Sequence, residues 1–172
     1  MMPAVVHSLY MIQFQEVLPN EGVKGNYRPV ASINQTVTAI AQQHHLAIDE
    51  FDEDGFGWSH MVVLRASDGK QIMVIQHLQS HWSETSTMIE MIPDDPTTPA
   101  VLDEFLAWLG IGAADLTWLA PVITLPTYRL WRQDDNGQTF HIETVSGLGE
   151  AIRRVKAFEA LGHKQCYWYE QA

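Results

Sequence analysis

The amino-acid sequence predicts an α+β protein, mostly antiparallel sheet with helices on one face, ending in a small β-β-α-β module. Three observations carry this. Two pairs of apolar, strand-like runs each flank a tight-turn dipeptide, Asp68-Gly69 in one case and Asn136-Gly137 in the other. Segments with apolar residues at helical spacing separate those runs. Pro121 and Pro126 then bracket a short apolar connector between the two pairs. The expected organisation is a first domain over 1–125 and the module over 126–172.

Taken in order, residues 8–17 alternate, with Tyr10, Ile12 and Phe14 on one side, as in a half-buried strand. The stretch 19–29 reads as a loop. Ser32 and Gln35 have the spacing of a capping box for a helix running to about Leu46. Residues 58–66 and 71–78 form the first predicted hairpin, and 86–92 a neighbouring strand. Thr98-Pro99 opens a helix, since proline fits a first helical turn. Its stripe is Leu102, Phe105, Leu106 and Leu109, and Gly110 ends it. A short helical stretch is expected over 113–119. In the module, 128–133 and 138–145 make the second hairpin. Ser146 is the expected cap of a helix carrying Leu148, Ile152, Val155 and Phe158, with Gly162 as its stop. Residues 164–170 close as an aromatic strand.

The charge is uneven. Residues 1–125 hold fifteen Asp/Glu against four Lys/Arg, whereas 126–172 hold six of each, so the net −11 belongs to the first part. That balance disfavours direct binding to nucleic acid or an anionic membrane, both of which call for clustered cations. One cysteine excludes an internal disulfide framework. The first residues lack a basic region and a small-residue cleavage pattern, and no long apolar run is present. A cytoplasmic protein is expected.

Trp131-Arg132-Gln133-Asp134-Asp135-Asn136-Gly137, followed by Gly162-His163-Lys164-Gln165 with Tyr167, Trp168 and Glu170, resembles a short module of uncharacterised bacterial proteins. That stretch is also loosely similar to the second half of SPOR-type repeats. The first resemblance implies no activity; the second implies glycan binding at a septal wall, which requires export.

No motif specifies a chemistry. Aligned on Gly55, a calcium loop would begin at Glu50 and place Met61 where the bidentate Glu belongs. His77 and His81 are four apart on a strand end, about 13 Å, too far to share a metal. His44 and His45 fit the negative end of a helix. Cys166 has no close cationic neighbour and reads as a structural thiol rather than a nucleophile. Ser146-Gly147 could hold an anion at a helix start, but a hairpin-to-helix turn explains it more simply. No catalytic residue, metal or cofactor is expected.

The expected function is non-enzymatic: a small acidic inhibitor docking on a basic protein, either a toxin or a nucleic-acid-binding protein. Immunity proteins and inhibitors that imitate nucleic-acid charge share this profile. The docking candidates are Asp49, Glu50, Asp52, Glu53 and Asp54, read as a solvated acidic loop, with Asp94, Asp95, Asp103 and Glu104. An alternative is an interaction module using an aromatic face of Trp131, Tyr167, Trp168 and Tyr169, unless that face packs on the first part. A third is an enzyme built from scattered carboxylates and His60, His77 or His81.

Overall fold

The structure is a computed structural model that describes residues 13–17, 25–53, 57–78 and 86–172. The predicted strand over 8–17 lies mostly outside these residues, as do Asp54, Gly55 and His81. The fold is α+β, with two antiparallel sheets. The elements are β1 (Phe14–Glu16), β2 (Arg28–Ile33), α1 (Val37–His44), β3 (Asp49–Glu53), β4 (Gly57–Ala66), β5 (Gln71–His77), β6 (Thr87–Met91) and α2 (Thr98–Trp108). A 3-10 turn (Ala113–Asp115) and β7 (Leu116–Leu119) follow, then β8 (Thr127–Gln133), β9 (Thr139–Ser146), α3 (Leu148–Glu159) and β10 (Cys166–Gln171).

The first sheet runs β1-β4-β5-β6-β2-β7, and β3 joins β1 on the outer side of β4. The β4–β5 hairpin forms at the expected turn, where Gly69 takes a left-handed φ of 90°. Pairing sets Val62 opposite Val74 and Leu64 opposite Ile72. Those side chains, with Ile89 and Met91, form one buried face covered by Val37, Ile40, Leu102, Phe105 and Leu106 of the two helices. Full burial of a side chain such as Phe105 stabilises by roughly 1.5–3 kcal/mol.

Several sequence expectations shift here. Ser32 does not cap α1. It lies inside β2, and its hydroxyl meets those of Ser86 (2.8 Å) and Thr117 (2.6 Å) on either side. Thr36 caps instead, accepting from the Ala39 N–H. A run of buried Val30, Ala31 and Ile33 makes a strand here, and the helical spacing from Ile33 to Val37 bridges two elements. The helix ends at His44, because His45 turns left-handed with φ 57°. Residues 113–119 are a single 3-10 turn and a strand, since Leu116, Trp118 and Leu119 pair with β2. The acidic stretch is strand β3, in register with β4 from Asp49 opposite Met61 to Glu53 opposite Gly57, not a loop.

The second sheet, β10-β8-β9, carries α3 on one face, over Tyr128, Leu130 and Tyr167. The connector is not a free linker, because Ala120, Ile123 and Leu125 are buried in the first core. The two sheets are joined through α2 and α3. Gly149 of α3 lies so close to the end of α2 that a Cβ there would sit 2.0 Å from the Ile111 carbonyl oxygen.

Asp103 is the second joint. It was expected as an exposed docking carboxylate, but it is 1% exposed on the side of α2 that faces α3. One carboxylate oxygen accepts from the Leu148 N–H (2.7 Å) and the other from the Tyr128 hydroxyl (2.8 Å). Ser146 therefore does not cap α3. Gly147 holds the cap position at φ 86°, and the acceptor comes from α2. The anion that Ser146-Gly147 was thought able to hold is supplied by the chain itself. Burial pushes the Asp103 carboxyl up, against the lowering effect of its two donors. Burial and the neighbouring Asp103 charge push the Tyr128 hydroxyl up as well.

Candidate functional site

The predicted docking carboxylates do not form one patch. Asp94 and Asp95 sit in the turn before α2. Asp95 accepts from the Thr97 N–H (2.9 Å) and approaches Lys70 (4.0 Å), while Asp68 pairs with Lys70 at 2.8 Å. These groups hold the Asp68 and Asp95 carboxyls below the usual range. Glu104 is half-buried on α2. The β3 acids lie far from that turn. Asp52 opposes Trp58, eight residues before Ala66 at the other end of β4. At about 3.3 Å per residue the separation is roughly 25 Å, beyond the range at which exposed charges act together in physiological salt.

The two ends of the first sheet differ in where their cations lie. Among the described residues its Lys/Arg groups are Arg28, Arg65 and Lys70. Register places all three at the turn end: Arg28 opposite Met91, Arg65 opposite Gln71, and Lys70 in the hairpin turn itself. The β3 end keeps its carboxylates with no Lys/Arg beside them on β3, α1 or the near half of β4.

Strand alternation sorts the β3 side chains. Asp52 and Glu50 share the face of Trp58 and His60, which is the helix-covered face of the sheet. Asp49 belongs to the opposite face. The row Glu50, His60, Gln76 is where the cover ends. The Gln76 amide oxygen accepts from Val37, the first residue of α1, at 3.0 Å. The Thr38 hydroxyl meets His60 Nδ1 at 3.4 Å, and Glu50 meets His60 Nε2 at 3.3 Å. One row further out lie Asp52, Trp58 and Leu78, whose N–H donates to the Trp58 carbonyl (2.9 Å). Among the described residues no helix covers this row, and Trp58 is 50% and Leu78 41% exposed. An indole and an isobutyl group thus stand in water beside carboxylates, on a strand whose outer hydrogen-bonding edge has no partner strand among the described residues.

Trp58 and Leu78 were not singled out from sequence. Both continue apolar runs that read as core, and only the length of α1 decides that their row is uncovered.

The aromatic set divides. Tyr167 and Tyr169 lie under α3, with Phe158 stacked on Tyr167 (5.4 Å) and Tyr128 edge-on to Tyr169 (5.9 Å). They pack beneath α3 rather than standing out as an exposed aromatic face. Trp131 and Trp168 pair on the other side of the sheet, half-buried, with His141 edge-on to Trp131 (5.2 Å). The Trp131 indole N–H donates to Glu170 (3.0 Å). Among the described elements, the first part meets the module mainly through α2 against α3.

Ser59 and His77 are at hydrogen-bond distance (2.8 Å), but Ser59 is fully buried, so no substrate reaches its hydroxyl. His60 and His77 face opposite sides of the sheet and cannot share a site. Cys166 is exposed at the first residue of β10, not inside the sheet's packed face. Among the described residues no group of three or more His, Cys, Asp or Glu could hold a metal, and no helix is long and apolar enough to cross a membrane. No family model, no curated protein and no solved structure matches the chain.

Proposed function

We propose that the protein is a non-enzymatic binding protein that docks on a basic protein partner through the β3 end of its first sheet. The carrying observation is the exposed Trp58, flanked by Leu78 and faced by Asp52 and Glu50 on a strand whose outer edge has no partner strand among the described residues. A large aromatic anchor in a polar rim is the arrangement in which a few residues supply most of an interface's energy. The carboxylates steer a cationic partner and reject anionic ones. An inhibitor of a toxin or of a nucleic-acid-binding enzyme fits this chemistry, since such targets present basic clefts.

The test is affinity capture from the native host with the wild type, Trp58→Ala and a Glu50→Lys/Asp52→Lys double variant. The wild type should retain a basic protein, and each variant should weaken it about tenfold or more. The double variant should also flatten the salt dependence. A partner whose binding ignores both variants would reject the proposal. A second reading rests on Trp131 and Trp168, a half-buried aromatic pair on the second sheet. There Trp168→Ala would abolish binding and the β3 variants would leave it intact.

A further inference from the structure

We propose that the open groove between the end of α3 and the β8–β9 hairpin binds a small amphiphile, a carboxylate on an apolar body, with Arg132 as its counter-ion. This site lies on the second sheet and is independent of the Trp58 surface. The groove has a volume of about 510 Å³, within the range of small-ligand sites. It is lined by Phe140, Ile142, Phe158, Leu161 and Tyr167, with Arg132 as its guanidinium, His141, His163 and Gln165 as further polar groups, and no Asp or Glu. In a chain of net charge −11, this is a place where an anion meets no carboxylate.

Arg132 differs from the other arginines near it. Arg153 and Arg154 both bind Glu150 of their own helix. Arg132 has no carboxylate within ion-pair reach among the described residues. Its guanidinium instead lies 5.0 Å from the centre of the Phe140 ring, its cross-strand neighbour. The ring holds the fork in place while leaving its N–H donors available, and a planar carboxylate matches that fork in bidentate fashion. A single guanidinium, without a second arginine or a helix N-terminus beside it, suits one negative charge rather than a phosphate dianion.

The apolar half of the ligand is set by the walls. Phe158 and Tyr167 stack with their planes 17° apart, and both line the groove. Leu161 is 63% and Phe140 38% exposed, so a slender or planar hydrocarbon would cover groups that now face water. The Tyr167 hydroxyl already donates to Gln165 (2.9 Å) and asks nothing of the ligand.

A free aryl carboxylic acid and the C-terminus of an apolar peptide offer this same chemistry. The experiment is an amide NMR titration of the full chain with 4-phenylbutyrate, with an acetylated Phe-Leu dipeptide, and with 4-phenylbutanol, which keeps the body and removes the charge. The proposal expects saturable shifts at Arg132, Phe140 and Tyr167 with at least one acid, and none with the alcohol. The acid that saturates at lower concentration assigns the source. Arg132→Gln and Leu161→Glu, both at exposed positions, should each weaken binding about tenfold or more. Absence of saturable shifts with both acids would overturn the proposal, as would equal binding of the alcohol or wild-type affinity in Arg132→Gln.

Discussion

Replacing Asp103 by Ala removes a carboxylate that two buried donors share. The Leu148 N–H, at the start of α3, loses an acceptor at 2.7 Å, and the Tyr128 hydroxyl loses one at 2.8 Å. A buried donor left unsatisfied costs about 1–3 kcal/mol, and loss of a helix cap about 1 kcal/mol within that. The desolvation of an ionised carboxylate, which is what pushes the Asp103 carboxyl up, is relieved by the substitution and offsets part of the loss. The net expectation is a destabilisation of roughly 2–4 kcal/mol, or about 6–12 °C in Tm for a chain of this size. Urea unfolding of the wild type, Asp103→Ala, Tyr128→Phe and the double variant measures it, and the cycle should return a coupling of about 0.5–3 kcal/mol. Asp103→Asn adds a check of sign. A carboxyl whose folded pKa is raised contributes stability fully present below its unfolded pKa of about 4, and that stability is lost as pH rises through the folded value. The wild type should therefore lose stability relative to Asp103→Asn between acid and neutral pH. An Asp103→Ala protein within about 0.5 kcal/mol of wild type, or additive effects of the two substitutions, would refute the joint.

Gly149→Ala should destabilise by about 1–3 kcal/mol or more in the same unfolding assay, because its Cβ would collide with the Ile111 carbonyl rather than with a movable side chain. Gly162→Ala meets nothing within 4 Å and pays only for its left-handed φ of 70°, about 1 kcal/mol. His44 stacks on Trp108 at 3.8 Å, and its buried Nε2 has no hydrogen-bond partner among the described residues. Burial and the neighbouring His45 charge lower its pKa, so the stability it contributes is present above about 6.5 and is lost as pH falls through the folded value. The Tm of His44→Phe should accordingly fall less than that of the wild type between pH 7.5 and pH 5, a range of about 2.5 units around the histidine's ordinary value.

The two hairpins were legible because Asp68-Gly69 and Asn136-Gly137 specify turns locally, and α2 and α3 because their apolar stripes are regular. What sequence could not reach depends on contacts between distant elements. Asp103 lies off the main stripe of α2 and reads as a surface acid, yet a second buried side of the same helix faces α3. Ser146 is a good cap by type, but Gly147 needs a left-handed φ and the acceptor arrives from forty-five residues earlier. The acidic stretch looked like a loop because carboxylates are depleted in strands. As a short edge strand, however, β3 tolerates them, since Glu50 and Asp52 are exposed and charge discourages pairing with further strands. Trp58 was indistinguishable from core until the end of α1 was located one row short of it.

The docking claim is tested most directly by placing a photo-crosslinking phenylalanine derivative at position 58, and separately at position 168, in the native host. The account predicts a crosslink from position 58 to a basic protein, lost when Glu50 and Asp52 are both replaced by Lys. A crosslink formed from position 168 and absent from position 58 would contradict it.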